Sequence, residues 1–384
     1  MNGENKMMET TTPQEKFDAL TNVKKLFFVL IAIILISGCN IFSPGEKNYD
    51  YHWKLSDSPV HIDTCFVVNE GETLKVDAGV EVLFKASEEN NEFYLDSLNV
   101  GMMQIKGSII AKGTKSRPIL FHSGNEKGSH WGVILLDSTS TNNKFEYCTF
   151  RKYHRIFYDD NSKYAGAITF NKSTGYVTKC DFANNIHVTA IYCNYSSPLI
   201  SYNYIHNTPF MDTDSKWPPP PHDIDSGTGI KCYNYSSPKI INNLIIGGFN
   251  SLICKNESNP VVINCTFAIV PGMTENALTT SGHSVPKIFN SILSCAGALS
   301  VECEDKCEMS HSLFYTSESD YIDLGGNIVT SNPHYETDSF RLAPDSPAIN
   351  AGDKNISDLP IKDINGNSRI VGASIDMGAF EYHE

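Results

Sequence analysis

The sequence has little charge, no basic excess, no long apolar run and no second cysteine pair to match its one close-spaced pair. Each shortage closes off a class of protein. Asp, Glu, Lys and Arg make up 19% of the 384 residues, and 44 acidic against 30 basic side chains leave a formal charge of −14. A surface built to neutralise nucleic-acid phosphates carries the opposite sign, so no nucleic-acid partner is expected. The apolar run Leu26–Ile36 is too short to span a bilayer comfortably as a helix. Cys303-Glu-Asp-Lys-Cys307 lacks the second pair that a structural zinc site needs, and no intact twelve-residue calcium loop occurs. What is plentiful is Asn, Ser, Thr, Gly and Tyr, a composition suited to stacked strands joined by polar turns.

Lys24 and Lys25 precede the apolar run, which ends in Ile36-Ser37-Gly38-Cys39. This is the order of a secretory signal peptide. The tetrapeptide resembles the bacterial lipobox, which implies lipid attachment to the thiol of Cys39 and cleavage just ahead of it. An uncleaved anchor helix or an ordinary signal peptide are the alternatives. Met1 to Cys39 holds four Lys and four acidic residues, so its removal leaves the net charge unchanged. The stretch before Lys24 is long for such a peptide, and translation starting at Met7 or Met8 fits it as well. Several buried acyl chains, at about 0.8 kcal/mol per CH₂, make an attachment lasting. Asn40, where an Asp would favour the inner membrane, points to the outer membrane and leaves the facing side open. Residues 40–50 read as a tether, 51–330 as a repeat body and 331–384 as a closing cap segment.

The repeat body shows itself in two segments, Cys193-Asn-Tyr-Ser-Ser-Pro198-Leu-Ile and Cys232-Tyr-Asn-Tyr-Ser-Ser-Pro238-Lys-Ile. Around such turns three apolar columns recur. The first holds Ile168, Ile191, Ile230, Leu252 and Leu278; the second Phe145, Val177, Ile200, Ile240, Val262 and Ile288; the third Phe150, Phe182, Ile205, Ile245, Phe267 and Leu293. Equivalent strands begin 35, 23, 39, 23, 26 and 21 residues apart from Trp131 onward, so the basic coil is 21 to 26 residues. One such coil cannot bury its inner face alone, but coils stacked at about 4.8 Å shelter one another. Cys148, Cys180 and Cys265 share one inward position and Cys193, Cys232 and Cys254 another, which marks them as small core fillers; oxidation of neighbours such as Cys232 and Cys254 is the alternative. Asn203 and Asn243 share the position of Cys180 and are expected to bond along the stack.

These coils, with Gly79-Val80-Glu81-Val82-Leu83-Phe84 near the start and Ile375-Asp-Met-Gly-Ala-Phe-Glu381 near the end, resemble the right-handed parallel β-helix proteins of the pectin-lyase-like superfamily. The resemblance implies an all-β, right-handed parallel β-helix over nearly all of residues 51–384. It leaves function open, because that scaffold carries lyases, hydrolases, adhesins and binders.

The steps of 35 and 39 residues reveal two insertions, leaving after Phe150 and Ile205, two coils or roughly 10 Å apart. Long loops on a rigid repeat are common places for function. The expected ligand groove draws on His154, Arg155, Tyr158, Asp159, Asp160 and Lys163 in the first, and on Lys216, Trp217 and His222 in the second. Trp217, Tyr153, Tyr158 and Tyr164 are candidates to stack on sugar rings. The alternative is packing over the solenoid, with Pro218–Pro221 as a spacer. Asp212, Asp214, Asp223 and Asp225 are a candidate Ca²⁺ set, and Asp363-Ile-Asn-Gly-Asn367 reads as a turn. The leading reading is an envelope lipoprotein that binds a polysaccharide. The first alternative is a lyase using Lys163, Lys216, Arg155 or His222 as base, or a glycosidase pairing Asp159 or Asp160 with Asp223 or Asp225. The second is a structural or adhesive scaffold.

Overall fold

The computed structural model describes residues 51–86, 100–124, 131–139, 143–153, 166–183, 189–206, 228–246, 250–269, 276–295, 300–316, 321–336 and 339–383, with the backbone of 156–157 and 163–164. Three wholly parallel sheets dominate them. The first has eleven strands from Tyr51–Trp53 to Tyr321–Asp323, the second eleven from Val60–Ile62 to Ile328–Val329, and the third nine from Cys65–Val68 to Val301–Cys303. Each coil visits the third, first and second sheets in turn, so every strand pairs with the strand one coil away.

The apolar columns are the register of this stack. Ile134, Ile168, Ile191, Ile230, Leu252, Leu278 and Val301 pair in succession across the third sheet. Phe145 to Ile288 do so across the first sheet, and Phe150 to Leu293 across the second. All are 0% exposed and meet in one core. Each fully buried side chain of this size stabilises the fold by about 1.5–3 kcal/mol. The change of parity between the first and second sheets comes from one left-handed residue per coil, at Tyr147, Lys179, Tyr202, Asn242, Asn264 and Asn290.

That corner leaves buried backbone N–H groups pointing along the stack, and side chains from the next coil accept from them. Asn203 Oδ1 accepts from Cys180 N at 2.9 Å, Asn243 Oδ1 from Asn203 N at 2.9 Å, Cys265 Sγ from Asn243 N at 3.4 Å and Ser291 Oγ from Cys265 N at 3.1 Å. At the corner between the third and first sheets, Ser196, Ser236, Ser258 and Ser284 accept in the same way at 3.0–3.2 Å. The cysteine columns are thiols packed in the core: Cys193, Cys232 and Cys254 pair in register, and Cys148, Cys180 and Cys265 are buried in the same way. Burial pushes the Cys265 thiol up to about 11, so it stays neutral.

The closing segment, residues 339–383, runs back along the flank and lies on the outer face of the second sheet. Outward-facing Ile292 and Leu313 are buried there against Leu342, Ala348 and Met377. Corner asparagines fasten it: Asn242 Nδ2 donates to Lys362 O at 3.1 Å, Asn264 Nδ2 to Asp376 O at 3.1 Å and Asn290 Nδ2 to Asp353 O at 2.9 Å. Gly378 makes the closest approach, at φ +93°. A Cβ there would stand 2.7 Å from Thr266 Oγ1 and 2.8 Å from Ile292 Cδ1. This clasp leaves the rest of the second sheet's outer face to form one wall of a cleft.

Candidate functional site

Alternation along the second-sheet strands puts Phe150, Phe182 and Ile205 inside, so Arg151, Asp181, Tyr204 and His206 point out. Register then assembles them. Arg151 Nη2 donates to Asp181 Oδ2 at 2.7 Å, and His206 Nε2 meets Asp181 Oδ1 at 2.7 Å. Burial pushes the Asp181 carboxyl up, but hydrogen bonds from His206 and Arg151 outweigh it and hold the group below its ordinary value. The Tyr204 ring stacks on His206 at 4.2 Å and 21°, and burial together with the Asp181 charge raises its hydroxyl. Farther along the same sheet, His122 Nε2 meets Glu81 Oε1 at 2.8 Å.

Both long insertions leave from the ends of this cluster. The strands Cys148–Arg151 and Tyr204–His206 flank Asp181–Ala183, so the exits are two coils apart, as the step lengths implied. The first insertion contains an antiparallel pair, Ile156–Phe157 with Lys163–Tyr164. His154, Arg155, Tyr158, Asp159, Asp160, Lys216, Trp217 and His222 lie outside the described residues, as do Asp212, Asp214, Asp223, Asp225 and Cys39; of Lys163 and Tyr164 only the backbone is described. Tyr153 is a correction. It is 0% exposed, edge-on to Trp131 at 6.2 Å, and anchors the root of the insertion, so it is no sugar platform. Lys152, at φ +57°, breaks the alternation just before it and turns its side chain into the core. Trp131 Nε1 donates to Arg151 O at 2.7 Å and ties the same root to the core. Among the described residues, no group of three or more His, Cys, Asp or Glu side chains is placed to hold a metal ion.

Beside the cluster, between the second sheet and the clasp, is an open cleft of about 1320 Å³. Tyr147, Lys179, Asp181 and Tyr204 line the solenoid wall, Phe340, Arg341, Ile361 and Lys362 the clasp wall, and Lys115 also borders it. Lys179 Nζ lies 3.2 Å from Glu146 and 4.9 Å from the Tyr147 ring centre. Four cations, Lys115, Lys179, Arg341 and Lys362, thus face two carboxylates, Asp181 and Asp363. Asp181 is bound by Arg151 and His206, and Asp363 accepts from Asn367 N at 2.7 Å and Glu381 N at 3.3 Å. The cleft is therefore basic within a chain of charge −14. Sequence patterning missed Arg151, Asp181, Tyr204 and His206, and the outward positions of the same rungs were the signal that could have found them.

The model of the right-handed β-helix region matches residues 131–322, half of the chain. The chain belongs to that family. Among solved structures, this β-helix protein is similar to pectate lyase Pel9A, at 13% identity over 82% of this chain and 89% of that one, with a TM-score of 0.34. It is also similar to an alginate lyase from Paenibacillus sp. str. FPU-7, at 10% identity over 70% and 99% of the two chains, with a TM-score of 0.23. At these values neither activity carries over. No curated protein matches the sequence.

Proposed function

We propose that this β-helix protein binds an anionic glycan in the cleft between the second sheet and the clasp, while lipid on Cys39 holds it at the bacterial envelope. The observation that carries the reading is a basic cleft in an acidic chain, beside the Arg151, Asp181 and His206 cluster. Lys115, Lys179, Arg341 and Lys362 supply charge-assisted hydrogen bonds for sugar carboxylates, and Tyr204, 39% exposed, supplies apolar ring surface. Trp217 is the aromatic that the second insertion offers to the same ligand, and it lies outside the described residues. Binding is read by isothermal calorimetry with polygalacturonate and alginate, with neutral dextran as control. The acidic polymers bind and added salt weakens them. Affinity that survives both the paired change Lys179→Ala with Arg341→Ala and deletion of residues 210–224 refutes the site. Acyl-chain labelling that persists in Cys39→Ser refutes the anchor.

One observation favours the enzyme reading as second. A histidine oriented by a carboxylate, as His206 is by Asp181 at 2.7 Å, is a geometry suited to proton transfer. It predicts unsaturated uronate product, or new reducing ends, lost in His206→Ala. Silence across a panel of acidic polysaccharides removes it.

A further inference from the structure

The clasp carries a buried charge cluster of which only Asp363 borders the cleft. Arg369 is 1% exposed and sits among three buried carboxyl groups, Asp363, Asp376 and Glu381, at 0%, 2% and 6%. Its Nη1 lies 3.7 Å from Glu381 Oε2 and donates to Gly378 O and Phe380 O; its Nη2 donates to Ala379 O and to Asn242 Oδ1 of the solenoid. Asp376 accepts from Asn350 N and Tyr382 N, both at 2.6 Å, and Asp363 from Asn367 N and Glu381 N. Glu381 Oε2 accepts from Asp376 N at 3.2 Å. Fully ionised, the cluster holds three negative charges against one positive in a dry setting, which desolvation makes costly.

The other basic groups that face it, His383 and Lys179, stand outside its buried interior. His383 faces Asp376, and Tyr202 of the solenoid faces Arg369, with Lys179 beyond it. The remaining solenoid contacts, Asn242, Asn264 and Thr266, are uncharged.

We propose that this cluster is a proton-operated latch: with a proton on Glu381 the segment 361–383 docks on the solenoid, and losing that proton loosens it and opens the cleft wall bearing Ile361 and Lys362. Burial, reinforced by the Asp376 charge, raises Glu381 from 4.5 to about 8, and burial raises Asp376 as well. A carboxyl whose docked value lies above its free value binds its proton in the docked form. Docking is then strongest below the free value, weakens as pH rises between the two, and levels off above the docked one. The latch stands on the cluster alone, and its effect on binding rests on the glycan reading.

Hydrogen exchange of the full chain tests it. After correction for intrinsic exchange, protection of residues 361–383 falls by roughly tenfold per pH unit between about pH 6 and 8, while the coils of residues 228–295 hold theirs. In Glu381→Gln the fall disappears. In Asp376→Asn, which removes the neighbouring charge, the fall moves to lower pH. Protection that stays flat in the wild-type chain, or an unchanged slope in Glu381→Gln, overturns the latch. Should Glu381→Gln fail to fold, an unmoved window in Asp376→Asn overturns it. Polygalacturonate binding measured at the two ends of that window reports the consequence separately: loss of binding at both ends with exchange behaving as expected refutes the glycan reading and leaves the latch intact.

Discussion

Replacing Asn243 by Ala removes the central link of the corner ladder. Its Oδ1 accepts from Asn203 N at 2.9 Å and Asn203 Nδ2 at 3.0 Å, and its Nδ2 donates to Ile200 O at 2.9 Å and Ile241 O at 3.2 Å. The residue is 0% exposed, so water does not replace these bonds. Ala deprives two buried donors of this acceptor, and each orphaned donor costs about 1–3 kcal/mol, which gives a loss of about 4 kcal/mol. Ser keeps one acceptor, in the manner of Ser291 Oγ toward Cys265 N at 3.1 Å, so Asn243→Ser loses about 2 kcal/mol. Equilibrium urea unfolding followed by circular dichroism measures both, and exchange of residues 199–206 and 239–246 localises the damage to neighbouring coils. A cost for Ala below about 1 kcal/mol, or Ser no better than Ala, refutes the ladder as a source of stability.

Gly378→Ala combines left-handed backbone with a Cβ against Thr266 and Ile292, and costs about 2–4 kcal/mol of clasp docking, seen as faster proteolysis within residues 339–383 and unchanged solenoid exchange. Asp181 is held below its ordinary value, so its pairs add stability above about 3.8 that is lost as pH falls through the lower folded value. Because its side chain is 36% exposed, the amount is only about 0.5–1 kcal/mol. Asp181→Asn therefore lowers stability at neutral pH and converges with wild type in acid, as paired melting curves show. The thiols of Cys193, Cys232 and Cys254 are 0% exposed, and burial raises those of Cys193 and Cys232, so a thiol reagent at neutral pH modifies the column only after denaturation; labelling of these three thiols in the native chain contradicts the core packing.

The inward face of the solenoid was legible because stacking imposes one rule on every coil. Ile191, Ile230 and Leu252 must each cover the same core, so the column recurs once in every coil, whatever the length of the loop between. The outward face obeys no such rule. Arg151, Asp181 and His206 are 30 and 25 residues apart, with no motif, and only strand register makes them neighbours. Tyr153 was misread because it was counted with the insertion that leaves after Phe150, whereas the left-handed backbone at Lys152 turns it into the core. Asp363 to Asn367 is the turn that the sequence suggested, but the burial of Asp363 follows from the docking of the clasp on coils more than a hundred residues earlier, as in the contact of Asn242 with Arg369.

Those long-range contacts alter how the molecule should yield to mechanical load. A bare stack of coils unravels from its free end one rung at a time. Here the final stretch is fastened across the rungs that carry Asn242, Asn264 and Asn290, crosswise to the ladder bonds. Tension on the carboxyl end must shear this splint away before any rung beneath it can be drawn out, so the end of the chain is also its brace.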